Sequence, residues 1–150
     1  MQRTILATDH HQWAMDTADA ISRRRLDQID WERVAEEIYE LGISQEHALQ
    51  SHLAQLMYHL LKMEHQPERH GRSWEITVRA QRNIIYSLLK KQPSLKALLR
   101  DDAFMNAAYD AALAESGRDN LPDSVVMHFP EACPYKVDML LPDLGADSNN

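Results

Sequence analysis

With 150 residues, 44% of them hydrophobic and 26% charged, the chain has the length of one domain, enough to bury about 70% of its unfolded surface without disulfides or metals. Four glycines and six prolines, against abundant Ala, Leu, Glu, Gln and Met, favour helices over sheet. A net charge of −7 opposes bulk affinity for nucleic acid, which grows with the phosphates neutralised, and no run approaches the ~20 apolar residues of a membrane span.

The opening MQRTILATDHHQW has no signal-peptide core, because Ile5-Leu6-Ala7 is too short, and a cytosolic protein is expected. A first helix is predicted from an Asp9 N-cap to about Arg25, with Trp13, Ala14, Ala18 and Ile21 facing inward. Asp30 caps a second helix whose inward stripe is Trp31, Val34, Ala35, Ile38 and Leu41; Gly42 ends or bends it. A third helix runs from about Ser44 to Glu64. Its Leu49, Leu53, Leu56, Met57, Leu60, Leu61 and Met63 nearly surround it with apolar groups, which makes it central.

Pro67 stops that pattern and Gly71 allows a turn. Ser73 then caps a fourth helix to about Lys91, with Trp74, Val78, Ile85, Leu88 and Leu89 inward and two lysines at its C-terminal end. Pro93 opens a fifth helix, about Ser94 to Ser116, which Gly117 closes; its stripe thins from Leu95, Leu98 and Leu99 to Ala103, Ala107 and Ala111. Beyond it lies a proline-rich segment with one short helix at Lys136–Leu141, then a frayed tail over 142–150. The predicted class is all-α: a mainly antiparallel bundle of about five helices with a loop-rich C-terminal segment, in a single domain over 1–150.

Charge is distributed unevenly. Residues 27–46 hold seven acids against one base, a net of −6, while residues 65–91 hold six bases against two acids, a net of +4. Facing helices would satisfy both. Glu37 lies on the flank of the second helix's apolar stripe and Glu36 and Glu40 point away from it, so Glu37 or Glu40 is expected to meet Arg79 or Arg82, with His59 nearby. Gln81 falls on the apolar axis of the fourth helix, where a buried amide needs a partner. Either it bonds a facing side chain or a loop carbonyl and fixes register, or it lines a polar pocket with Arg82 and His59. In the turn QPERHGRSW, Arg69 and Arg72 precede a helix N-terminus, which favours anions. Trp74 beside them could stack on a base or a guanidinium. Alternatively the turn is architectural, its arginines bonding helix-end carbonyls and the acids of a neighbour.

The candidate polar cluster is therefore Glu37, Glu40, His59, Arg69, Arg72, Trp74, Arg79, Gln81 and Arg82. No metal or other cofactor is expected: His52 and His59 share a helix flank, but neither Glu-x-x-His nor His-Glu-x-x-His occurs. Cys133, alone in the chain, excludes an internal disulfide, fits a reducing compartment and has no signature for an activating base. No glycine-rich phosphate loop is present.

In order, LDQIDWERVAEEIYELG, HLLKMEHQPERHGRSWEITVRAQR, PSL and FPEACPY resemble the bacterial domain-of-unknown-function family twenty-nine. The matching positions are Asp30–Glu32, Glu36-Glu37, His59–Lys62, Gln66–Arg69, Arg72–Trp74, Gln81-Arg82 and Cys133–Tyr135, within a similarity spanning about Asp9 to Leu141. Met63 stands where the family usually has an aromatic. The resemblance implies an all-helical bundle in a bacterial cytosol and brings no activity, substrate or cofactor with it. Three functions compete. First is a non-catalytic module binding another protein, its own copy included. Second is a nucleic-acid-associated factor using the Arg69–Arg82 segment. Third is a metal-dependent or hydrolytic enzyme built on Glu37, Glu40 and His59.

Overall fold

Helices account for all the regular structure in the computed structural model, which describes Ile5 and residues 9–145; no strand occurs among the described residues. The chain divides into two compact units, Met1–Ser44 and Gln45–Asn150.

In the first unit, α1 spans His10–Ser22, and Asp9 caps it as predicted, its carboxylate accepting the Gln12 N–H at 2.8 Å. The helix stops short of Arg25. Arg24 takes a left-handed φ of 60°, and the Arg24 and Arg25 N–H groups turn back to the carbonyls of Ile21 and Ala20. This is the bonding of a Schellman stop, with arginine where glycine is usual. Trp13, Thr17 and Ala20 form the buried face, so the inward line is rotated from the predicted one: Ala18 is exposed, and Ala14 and Ile21 are half-buried. A 3-10 turn at Leu26–Gln28 leads to α2, whose N-cap Asp30 accepts the Arg33 N–H at 3.1 Å.

α2 is one helix from Trp31 to His65, where two were predicted. Gly42 neither ends nor bends it out of helical bonding. A glycine inside a helix costs only about 1 kcal/mol relative to alanine, and the leucines, glutamates and glutamines on either side outweigh that. Its first turns pack on α1 through their polar side. The Arg33 guanidinium lies 4.1 Å from the centre of the Trp13 ring, and Glu37 Oε2 is 3.4 Å from His10 Nε2. Most of the expected inward stripe is therefore uncovered: Trp31, Ala35, Ile38 and Leu41 are exposed, and Val34 is half-buried.

In the second unit, the continuation of α2 is the core element, as its sequence predicts: Leu49, Leu53, Leu56, Met57 and Leu61 are 0% exposed. α3 spans Arg72–Lys91. It begins one residue before the predicted cap, with Gly71 at the N-cap and Ser73 already inside the helix. Gln45 accepts from Gln92 (2.7 Å), His52 meets Gln81 (2.8 Å), and Lys62 lies over the Trp74 ring (4.9 Å). Rising positions on α2 meet falling positions on α3, so the two helices run antiparallel.

The predicted fifth helix is divided. Pro93–Arg100 winds as a 3-10 segment, then Asp101 accepts the Phe104 N–H and starts α4, Asp102–Arg118. The break resets the helical phase. Met105, Ala108, Tyr109, Ala112 and Ser116 face inward, while Ala103 and Ala111 are exposed and Ala107 is half-buried. α4 also ends in a Schellman stop, but past Gly117: Asn120 carries the left-handed φ of 52°, and Leu121 N–H bonds the Ser116 carbonyl. Two single-turn helices follow, α5 (Asp123–Val126) and α6 (Val137–Leu140). Phe129, Tyr135, Leu140 and Leu141 are buried in the same core. Side-chain bonds to backbone hold this segment down: Tyr109 O–H to the Pro130 carbonyl (2.5 Å), Arg82 to the Met139 and Leu140 carbonyls, and Asp143 N–H to the Tyr86 oxygen. Leu144 packs on the core, so the docked chain extends into the predicted tail; positions 146–150 of that tail lie outside the described residues.

Candidate functional site

The nine candidate residues have separate local roles. Glu37 is paired with His10, and Glu40 is exposed. Arg82 spends its guanidinium on helix-end carbonyls, 2.8 Å to Leu140 and 3.2 Å to Met139, which suits the negative end of α6. The expected carboxylate partners of Arg82 are thus replaced by backbone oxygens, and Glu37 finds its partner on α1. Gln81 Oε1 accepts from His52 Nδ1 and fixes the α2–α3 register. His59 Nδ1 donates to the Gln55 carbonyl at 2.8 Å, and burial lowers its pKa, opposed by that bond and reinforced by the Lys62 charge. Such a histidine is a neutral packing group at pH 7. Arg69, Arg72 and Arg79 are exposed and enter no ion pair among the described residues; Glu75, between them, bonds His70 at 3.0 Å.

Trp74 is half-buried, and its face is already taken by a residue that sequence reasoning passed over. Lys62 is 8% exposed, with Nζ 4.6 Å from the Tyr58 ring centre and 4.9 Å from that of Trp74. Its Nζ is 3.7 Å from Asp119 Oδ2, which also accepts the Tyr58 O–H at 2.6 Å. Burial, then the Asp119 carboxylate, raise the Tyr58 pKa far above its usual value. The four residues come from α2, α3 and the end of α4, so the ammonium ties three elements together. Its signal in the sequence was a lysine closing an otherwise apolar HLLK run. Asp119, just past α4, gave none.

A second polar link joins α2 to the C-terminal segment. Tyr135 O–H donates to Glu64 at 3.4 Å, and Cys133 Sγ sits 3.7 Å from the Tyr135 carbonyl. Burial raises the pKa of Tyr135 strongly and that of Tyr109 to about 12. Gln66, in the same turn as Arg69, is 2% exposed, and its amide nitrogen has no acceptor among the described residues. No group of three or more His, Cys, Asp or Glu side chains gathers among the described residues. A cleft of about 600 Å³ lies between the 3-10 segment and the C-terminal chain, apolar at Leu99, Val137, Leu141 and Leu144 and rimmed by Lys96 and Arg100.

Two uncovered helix faces stand out against these satisfied groups. On the first half of α2, Trp31, Ile38 and Leu41 are 52%, 63% and 62% exposed, with Tyr39 beside them. On α3, Ile76 and Ile84 are 56% and 42% exposed with exposed Ala80 between them. Arg72 and Arg79 lie along the flank of the second face. Amphipathic spacing reveals which side of a helix is apolar and says nothing of whether anything covers it, which is why the α2 stripe read as core.

No helix among the described residues is long and apolar enough to cross a membrane. No curated protein and no solved structure matches the chain. One family model does, described as domain of unknown function DUF29, over residues 5–144. Its span takes in every helix from α1 to α6, both uncovered faces and the lysine box, in agreement with the order of motifs from DWE to CPY. The chain belongs to the DUF29 family.

Proposed function

We propose that the chain is a non-catalytic helical module that binds another protein through the apolar stripe on the first half of α2. The observation that supports this most is the exposure of Trp31, Ile38 and Leu41 along one line of a helix. Together with Tyr39 they make four large apolar side chains more than half exposed within three turns of one helix, and apolar patches of this kind mark interaction sites. Aromatic residues in such a patch are the usual anchors of binding energy. The setting that goes with this reading is a bacterial cytosol, which the lone cysteine favours.

The nucleic-acid alternative is supported by the exposed Arg69, Arg72 and Arg79. Against it stand the net charge of −7, the engagement of Arg82 with backbone carbonyls and the engagement of the Trp74 face with Lys62. A base would have to displace a buried cation to stack there. The enzyme alternative draws no support from Glu37, whose carboxylate lies beside His10 on α1.

Photocrosslinking decides between these. A benzophenone amino acid at position 38 should form protein adducts in cells, and the same group at exposed Asn106 should not. Equal labelling from both positions would contradict the docking role of α2. Tight, salt-sensitive binding of single-stranded DNA or RNA, lost on Arg72→Glu and Arg79→Glu, would establish the nucleic-acid reading instead.

A further inference from the structure

We propose that the cleft between the 3-10 segment and the C-terminal chain binds an amphipathic monoanion, a short apolar chain that ends in a carboxylate. The site lies within the second unit and is independent of α2 docking. Its volume of about 600 Å³ falls in the range of small-molecule pockets. Among its lining residues Leu99 and Leu141 are buried, while Val137 and Leu144 are only half-buried and keep apolar surface open to it. Lys96 and Leu144 also line a second recess of about 360 Å³ beside Tyr86 and Lys90, and so stand between the two. Each recess is therefore short. That suits a small molecule better than a docked helix, which is roughly 10–12 Å across.

Charge at the rim selects the other end of the ligand. Residues 86–100 hold Lys90, Lys91, Lys96 and Arg100 and no acid, a net of +4 within a chain of −7. Lys96 and Arg100 line the cleft, both exposed, and neither enters an ion pair among the described residues. Of the acids nearby, Asp101 accepts the Phe104 N–H, Asp102 lines a different cleft beside Cys133, and Asp143 lines one beside Arg79. Asp138 is the acid on this lining. Two cations against one carboxylate leave the rim at +1, which matches a single negative charge. A free phosphate would leave the leucine and valine walls uncovered, and a neutral apolar molecule would leave both cations unused. A carboxylate with an apolar chain meets both features. Because the cations are exposed, each ion pair contributes little; burial of the chain supplies most of the affinity and the rim sets its orientation.

Titration of the full chain with octanoate, followed by amide chemical shifts in solution, provides the test. Saturable binding with a Kd of about 0.1–1 mM is expected, with shifts centred on residues 95–100 and 137–145. Lys96→Glu combined with Arg100→Glu should weaken it by about tenfold or more, whereas Lys91→Glu, the same charge change outside the cleft, should leave the Kd within about twofold. Leu144→Asn should also weaken it, and the exposed charge variants carry the test if that one fails to fold. Octylamine, with the same chain and the opposite charge, should bind at least about tenfold more weakly, and acetate should give no saturable response. Saturation by acetate on the same residues would reduce the cleft to a site for an adventitious ion only and overturn the proposal. So would octylamine binding as tightly as octanoate, an unchanged Kd in the double charge variant, or no saturable shift. Shifts centred on residues 31–42 instead would overturn the assignment to this cleft and leave the α2 stripe as the apolar binding surface.

Discussion

One helix, α2, carries two fates for the same kinds of side chain. Between residues 45 and 65 Leu49, Leu53, Leu56 and Leu61 are 0% exposed, whereas between 31 and 44 Trp31, Ile38 and Leu41 keep more than half their surface open. The later part is amphipathic on a broad arc, and α3 and α4 bring Val78, Ile85, Leu89, Tyr109 and Ala112 into the same cluster. The earlier part meets α1 on the Arg33 and Glu37 side. A cation over an indole and a histidine–carboxylate contact hold that pairing, so the apolar line is left for something else. Burial therefore follows what covers a stripe, and hydrophobicity alone sets only which side wants covering.

The sharpest way to break this contrast is to cut into the enclosed part. Leu53→Ala is expected to cost about 2–5 kcal/mol in urea unfolding, the range for a buried leucine whose cavity cannot fully close. A loss below 1 kcal/mol would mean that this stretch of α2 is not the core.

Alkaline pH attacks the same region through its phenols. Tyr58, Tyr109 and Tyr135 have folded pKa values raised above 10, to about 12 for Tyr109. Their protonated forms are favoured in the folded chain, so the stability they contribute is complete below pH 10 and is lost as pH rises through 10 towards 12. Tyrosinate absorbance should rise together with unfolding. Titration of all five tyrosines near pH 10 with the helices intact would contradict the burial.

The lysine box is the next test. Lys62→Ala should cost about 1–3 kcal/mol, since it removes a buried stem, two ring–cation contacts and a loose pairing with the half-exposed Asp119. Lys62→Met, which keeps the stem, should cost less. An equal loss from both would assign the effect to charge. In the uncovered half, Gly42→Ala should stabilise by about 0.5–1 kcal/mol, because nothing lies within 4 Å of the added Cβ and the helix passes straight through. Destabilisation would show that Gly42 serves a contact.

Much of this fold was legible in the residues. The caps at Asp9 and Asp30, the central position of the Leu49–Leu61 stretch, the end of α3 near Lys91 and the short helix near residue 137 follow from spacing and capping chemistry. The errors share a cause. Gly42 read as a stop because its local cost is visible and the propensity summed on both sides is not. The fifth helix read as continuous because Asp101, the residue that restarts it, looks like any surface acid. The polar cluster was half legible. Gln81 did need a partner and found His52, but charge asymmetry between two segments could not say that Arg82 would cap α6 or that Glu37 would turn to His10. The lysine box joins residues 58, 62, 74 and 119, and only the fold makes those neighbours.

The most direct measurement is the stability of a chain whose stripe has been made polar, Ile38→Gln with Leu41→Gln. Urea unfolding should be followed at a concentration where the wild type sediments as a monomer. With the stripe open in the single chain, the unfolding free energy should stay within about 0.5 kcal/mol of wild type, as for other exposed substitutions. A loss of 2 kcal/mol or more, on the order of what burying such residues contributes, would mean that the stripe is packed within the chain and that the docking surface does not exist.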